Sequence, residues 1–280
     1  MKVKSFEYKK RNISVWNEVA PRYHKRWATA KKGPFQSSKK LVELINVKKG
    51  DHVLDVASGT GVVTKLLSQK VGKSGFVIGA DTATTAIKVA KKWNNKSSNL
   101  LFVNADAENF SFIEKFDIIT CQYALFFFPN AQKALKNMKD SLKESGKLGI
   151  SVHGHPDKVP YFDSIFDAVT RFIPNYVPPG TPDFDRFGTK NALRDEIKKA
   201  GFRKITVKDY NFPYSPGTFD QYWNNYLRYV ATPIRKKLDS LERSQRIELK
   251  QMVKENTEPY TKSDGIIQFP WEVLILTAKH

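Results

Sequence analysis

The sequence predicts an α/β fold built on a parallel sheet with helices on both faces. Three observations predict it. Short, nearly continuous apolar runs alternate with helix-length segments between residues 52 and 153. Strands buried on both faces read this way. The first run, Val53-Leu54-Asp55-Val56, passes into Ala57-Ser58-Gly59-Thr60-Gly61. Gly59 and Gly61 carry no Cβ to hold a ligand away from that turn. After His153 the alternation stops and stretches rich in proline and aromatic residues follow. They come after strands, so they can lie over the carboxyl-end face, where open α/β sheets bind ligands.

The elements follow in order. Residues 12–30 carry Trp16, Val19, Tyr23 and Trp27 at spacings near three and four, an amphipathic helix that Pro21 is expected to split. Residues 36–46 place Leu41, Leu44 and Ile45 on one helical face, and Lys49-Gly50-Asp51 turns the chain. Strands are expected at 52–56, 76–80, 100–103, 116–121 and 147–152, with helices at 60–70, 83–93 and 130–143. Residues 154–187 read as irregular; a helix over 189–200 ends at Gly201, and a strand covers 203–208. A second irregular stretch at 211–217 precedes helices at 218–231 and 234–256, and the apolar run 271–278 is a final strand. The chain is expected to form one domain over 1–280, with a helical lead-in at 1–48 and cap insertions at about 154–188 and 211–268.

Composition excludes several classes. With 280 residues and 40% apolar content the chain can bury a large core. No run approaches the ~20 apolar residues of a membrane span, and Met1-Lys2-Val3-Lys4-Ser5 lacks a secretory apolar segment. Cys121 is the single cysteine, which rules out an internal disulfide and a Cys-cluster metal site and fits a cytoplasmic setting. The net charge is +19, and residues 1–50 hold 14 Lys/Arg against 3 Glu. Such an excess attracts nucleic acid, anionic lipid or acidic small molecules, or simply keeps the chain soluble. Lysine outnumbers arginine, which disfavours base reading.

The acid at the end of the first strand separates two cofactor classes. A carboxylate there repels a pyrophosphate but accepts hydrogen bonds from ammonium or hydroxyl groups. A third glycine, expected of a dinucleotide turn, is replaced by Thr64. From Asp55 to Gly61, with Asp81 ending the next strand and Asp106 following the third, the chain resembles a class I methyltransferase dependent on S-adenosylmethionine (SAM). It is close in pattern to the ubiquinone/menaquinone-biosynthesis type, often called the UbiE or type 11 group. The resemblance is carried by residues 40–153, more loosely by 189–210 and 270–279, and least by the insertions. It implies a Rossmann-like, mostly parallel seven-stranded sheet with an antiparallel last strand and helical, aromatic cap insertions. It also implies SAM as cofactor, with Asp55, Ala57, Ser58, Gly59 and Gly61 around its methionine part and Asp81 and Thr82 at the ribose. Asp106 and Ala107 are expected at the adenine, Gln122 beside the methyl group, and Tyr23 in an aromatic lead-in over the cofactor. Ala57 stands where the family more often has glycine.

Methyl transfer needs alignment of donor and acceptor more than it needs a metal, and no metal motif is present. His153 and His155, after the fifth strand, are the candidate bases, because a neutral imidazole can take a proton near pH 7. Tyr123 is a candidate hydrogen-bond donor or a packing residue. His24 is a candidate for closing the site, and Cys121 reads as a small strand residue. Tyr222, Trp223 and Tyr226 either meet an aromatic acceptor or form the core of the cap. A small apolar or aromatic acceptor, such as a quinone precursor or lipid, is expected. An RNA substrate is the rival: no specific nucleic-acid motif accompanies the charge, and Cys121-Gln122-Tyr123-Ala124 departs from the amino-methylating pattern. A non-catalytic SAM-binding module is the third reading. The basic surface also suits peripheral contact with an anionic membrane.

Overall fold

A computed structural model describes residues 2–28, 30–173, 176–177 and 179–280, without the side chains of residues 2, 3, 27 and 28. Pro174 and Pro178, and the Trp27 side chain, lie outside what is described. The central sheet takes β1 (His52–Val56), β2 (Phe76–Asp81), β3 (Leu100–Asn104), β4 (Phe116–Gln122), β5 (Leu142–His153), β6 (Arg203–Asn211) and β9 (Glu272–Lys279). Their order is β3-β2-β1-β4-β5-β9-β6. All neighbours run parallel except β9, which is antiparallel to both β5 and β6. The order reverses between β1 and β4, so a crevice opens beyond their carboxyl ends.

The interiors of the central strands are fully buried, as their unbroken apolar runs require: Val53, Leu54, Ile118, Ile119, Leu148 and Ile150 lie in the core, while the edge strands β3 and β6 stay partly exposed. Helices α3 (Val62–Val71), α4 (Thr84–Trp93), α5 (Ala131–Asp140) and α7 (Lys190–Lys199) link the strands, and α2 (Gln36–Leu44) packs beside α3.

The lead-in differs from expectation. Helix α1 (Lys2–Tyr23) passes through Pro21 without breaking and then widens into a π-turn at His24–Ala28. Pro21 lies in the last turn, where one lost backbone bond is outweighed by packing of Trp16 and Ala20 on Ala83 and Ala86.

The two insertions build one cap. The first holds α6 (Pro160–Phe172), where an irregular stretch was expected; Pro160 sits at its start, where a missing N–H costs nothing. The second holds β7 (Tyr214–Thr218), α8 (Phe219–Tyr229), α9 (Thr232–Asp239), α10 (Arg243–Thr257) and β8 (Ile266–Phe269). β7 and β8 pair as a separate two-stranded sheet. The single helix expected over 234–256 is two, because Glu242 and Gln245 form a capping box that restarts it. Ile165, Val169, Tyr222, Leu249, Val253 and Phe269 make the cap's own core, with Trp223 and Tyr226 partly buried against it. The Tyr222 hydroxyl donates to the Tyr161 carbonyl.

Candidate active site

The turn after β1 is left-handed at three of five residues: Ala57 at φ 54°, Gly59 at 54° and Gly61 at 82°. A Cβ on Gly61 would sit 2.7 Å from the Phe102 ring, so glycine is required by crowding as well as by φ. Ala57 holds the same region at a cost of about 1–2 kcal/mol. Over Gly59 a Cβ would meet nothing within 4 Å, which leaves its backbone face open.

Three buried polar atoms in this turn and at the tip of β4 have no hydrogen-bond partner: Ser58 Oγ, Thr60 Oγ1 and Gln122 Oε1. Each such group costs about 1–3 kcal/mol when buried unpaired. This unmet polarity fits a polar ligand laid across the strand tips.

The acids divide by what they already hold. Asp55 is 1% exposed. It accepts from Thr64 Oγ1 at 2.7 Å and from Thr120 Oγ1 at 2.8 Å. Thr120 is its register partner on β4, so the carboxylate ties β1, β4 and α3 together. Burial pushes its carboxyl up to about 6, against those two hydroxyl bonds. The structure thus turns Asp55 inward, whereas its strand-end position suggested a ligand contact.

Asp81 is half-buried and accepts from Gly59 N–H and Ala83 N–H, both at 2.8 Å. Burial raises its carboxyl above the usual range. A carboxylate has about four acceptor positions, so capacity remains. The Asp81 and Thr82 carbonyls are held by the Asn104 amide.

Asp106 is more fully engaged. It accepts from Lys9 Nζ at 2.8 Å, Glu108 N–H at 2.9 Å and Asn109 Nδ2 at 2.6 Å. Burial works to raise its carboxyl, but Lys9 and these bonds hold it below the ordinary range. Lys9 also pairs with the buried Glu108 at 2.9 Å, which in turn accepts Asn130 N–H. The Ala107 carbonyl accepts from Asn137.

At the tips of β4 and β5 the groups come from distant segments. Gln122 Nε2 donates to Ser37 Oγ at 2.9 Å, and Ser37 Oγ lies 2.8 Å from the Tyr123 hydroxyl, which also donates to the Pro34 carbonyl. Tyr123 is itself left-handed at φ 52°. Burial pushes its phenol far above the ordinary range. Its ring stacks on His153 at 4.3 Å. Phe126, Phe162 and Trp271 complete the surround of that imidazole. His155 is not part of this cluster: it is exposed, and its Nδ1 pairs with Asp157 at 2.7 Å.

Tyr23 packs edge-on to Trp16 at 5.5 Å, and burial pushes its phenol up to about 12. His24 packs on Trp93 at 4.8 Å between ring centroids. Cys121 is buried in β4. Among the described residues no His/Cys/Asp/Glu group has the arrangement of a metal site. Lys9, Ser37, Glu108 and Trp271 were not foreseen. Ser37 and Lys9 lie in ordinary helical sequence, and Trp271 looks like one more apolar residue of a strand.

The strand order, the left-handed turn after β1 and the acids at successive strand ends define a SAM-dependent methyltransferase. A methyltransferase-domain family matches residues 47–177. The chain is 30% identical over 197 residues to the ubiquinone biosynthesis O-methyltransferase of Coxiella burnetii (strain RSA 331 / Henzerling II), covering 69% of this chain and 80% of that protein. It is 31% identical over 180 residues to the ubiquinone/menaquinone biosynthesis C-methyltransferase UbiE of Azotobacter vinelandii, covering 59% and 71%. The solved structure of the YcgJ protein from Bacillus subtilis superposes with a TM-score of 0.59 at 19% identity, covering 88% of this chain and 98% of that one. The chain belongs to this methyltransferase family and is an enzyme.

Proposed function

We propose that the protein methylates a small oxygenated aromatic or apolar acceptor at the tips of β4 and β5, with SAM bound across β1 and β2. The observation that carries this reading is the unmet polarity of Ser58, Thr60 and Gln122 beside a turn whose Gly59 face is open. Ala57 to Gly61 pass the methionine part, and Asp81 accepts the ribose hydroxyls with Thr82 beside it. Ala107 and Asp106 frame the adenine, with Lys9 keeping Asp106 ionised. Asp55 acts from behind, fixing β1 against β4 and α3. Bound SAM supplies an electrophilic methyl group, and the protein's task is alignment, which can supply much of the acceleration. Tyr123 is held by Ser37 and Pro34 as a wall. Phe126, Phe162 and Trp271 add apolar surface, which excludes water and suits a flat acceptor. The names of the two relatives place them in ubiquinone and menaquinone biosynthesis, and a quinone-ring precursor is an acceptor that suits that surface. The protein is proposed to work in the cytoplasm, with its basic excess favouring contact with anionic membrane where lipophilic acceptors reside.

The test is mass spectrometry of a metabolite extract incubated with the protein and methyl-labelled SAM. A small labelled product is expected. Label appearing only in RNA would replace the acceptor assignment, and SAM binding without any labelled product would replace catalysis by a binding role.

A further inference from the structure

His153 ends β5 with its imidazole half-buried among Tyr123, Phe126, Phe162 and Trp271. The Trp271 indole N–H donates to His153 Nδ1 at 3.1 Å. An indole nitrogen only donates, so Nδ1 must present a lone pair. The proton of the neutral ring then sits on Nε2. A second proton could enter only at Nδ1, where it would face the indole N–H. Trp271 is fixed in place: it is 1% exposed, its backbone N–H donates to Asn211 Oδ1 at 3.0 Å, and its carbonyl accepts from Phe212. Among the described residues Nε2 makes no hydrogen bond, so its N–H is available to a ligand.

We infer that His153 is a fixed hydrogen-bond donor toward the methyl acceptor rather than a base, and that Trp271 is the positioning residue that holds it in that tautomer. This rests on the acceptor site proposed above. A donor set on an oxygen next to the reacting atom stabilises the deprotonated acceptor without blocking the nucleophile. The acceptor gives up its own proton to bulk solvent before it enters this apolar surround, so it binds as an oxyanion. The surroundings agree with this role. Burial alone pushes the imidazole down to about 3, and no charged neighbour contributes. The titratable group against it is the Tyr123 phenol, itself pushed far upward by burial. Asp163, next to Phe162 on α6, interacts with Asp185, Asp167, His155 and Asp157. Glu272, next to Trp271, interacts with Asp209, Lys158, Asp157 and Lys190.

The experiment is nitrogen NMR of the full chain labelled in histidine, with His153→Gln assigning the signal. His153 should show the Nε2–H pattern, unchanged from about pH 5 to 8. In Trp271→Phe, checked for folding by melting, the signal should shift toward mixed tautomers. An Nδ1–H pattern, or a His153 signal that becomes cationic within that range in the wild type, overturns the inference even if Trp271→Phe does not fold. This readout needs no acceptor, so it stands apart from the success of the methyl-transfer assay. With that assay working, His153→Phe should lose about 10²-fold in rate. His153→Gln, which keeps a donor, should recover about tenfold of that loss. Equal loss in both variants, with an acidic limb removed from the pH profile, would make His153 the base instead.

Discussion

The two halves of the carboxyl-end crevice are built on opposite plans. On the β1–β3 side each acid stands at or near a strand end, and Asp81 and Asp106 keep part of their bonding within three residues. Asp81 is held by Gly59 and Ala83, and Asp106 by Glu108, Asn109 and one distant lysine. On the β4–β5 side the groups that meet come from far apart in the chain: Ser37, Tyr123, His153, Phe162 and Trp271. The first side is a set of charges placed by strand ends. The second is an aromatic cluster placed by the packing of lead-in, sheet and cap. A cofactor shared across a family suits the first plan, and an acceptor that varies suits the second, because packing between distant segments can change without disturbing the strand tips.

The two plans bury an acid and a neutral imidazole whose burial acts with opposite pH dependence, and pH separates them. Asp55 is pushed up to about 6 in the folded state. Below about pH 4 it is protonated in both states. From there to about pH 6 the folded protein holds a proton that the unfolded chain releases, so stability falls as pH rises, by about 3 kcal/mol in total. Asp55→Asn removes this slope, because an amide does not titrate and can still bond both threonines. Melting curves of the two proteins from pH 4 to 7 should converge or cross as pH rises; parallel curves would mean that Asp55 is not a buried, raised acid. His153 gives the reverse sign. Its folded value is pushed down to about 3. Below about pH 6.5 the unfolded chain takes a proton that the folded protein refuses, so stability falls with acidity, by about 2 kcal/mol between pH 6.5 and 5. His153→Gln should lack that loss when melted beside the wild type.

Asp81 tests the first plan by ligand rather than by pH. Asp81→Ala should weaken SAM binding by about 2 kcal/mol, roughly 30-fold, as hydroxyl bonds are lost. Titration calorimetry reads this directly. Unchanged affinity would move the ribose elsewhere and leave Asp81 as a brace for Gly59 and Ala83.

The same division explains what could be read before the fold was known. Strand ends are local, so Asp55, Asp81 and Asp106 and the alternation around them were legible, and β1 spans His52–Val56 as the sequence suggests. Ala57 was legible as an exception, and its φ of 54° shows what the usual glycine there is for. The role of Asp55 was less legible, because Thr64 and Thr120 gain meaning only when β4 lies against β1. β7 and β8 were missed for a physical reason: Tyr214-Ser215-Pro216-Gly217 reads as a turn, and pairing with a strand about 50 residues away overrides it. Tyr222 and Tyr226 carried the right helical spacing but no sign of whether ligand or cap would cover them. The contact of Trp271 with His153 spans 118 positions, beyond the reach of any local pattern.

Lys9 is the point at which the two plans join, and it should give the smallest effect. Helix α1 is strapped along its length. Lys9 bonds Asp106 and Glu108, Arg11 donates to the Pro179 carbonyl at 2.6 Å, and Glu18 accepts from Thr232 at the start of α9. The helix thus spans from the proposed adenine end to the cap. The Lys9 ammonium is partly exposed, so its pairs are weakened by solvent; Lys9→Met should cost about 1 kcal/mol of stability while keeping the apolar stem. Its sharper consequence is local. With the strap gone, amides near Lys9 should exchange with solvent faster, while amides around Trp16, packed on Ala83 and Ala86, keep their protection. Asp106, relieved of its lysine, should also lose part of the downward push on its carboxyl, the Glu108 and Asn109 bonds keeping the rest. Hydrogen exchange read by mass spectrometry separates these outcomes. Uniform loosening of the whole helix would mean that Lys9 holds α1 down as a unit, and no change would leave the apolar face as its sole anchor.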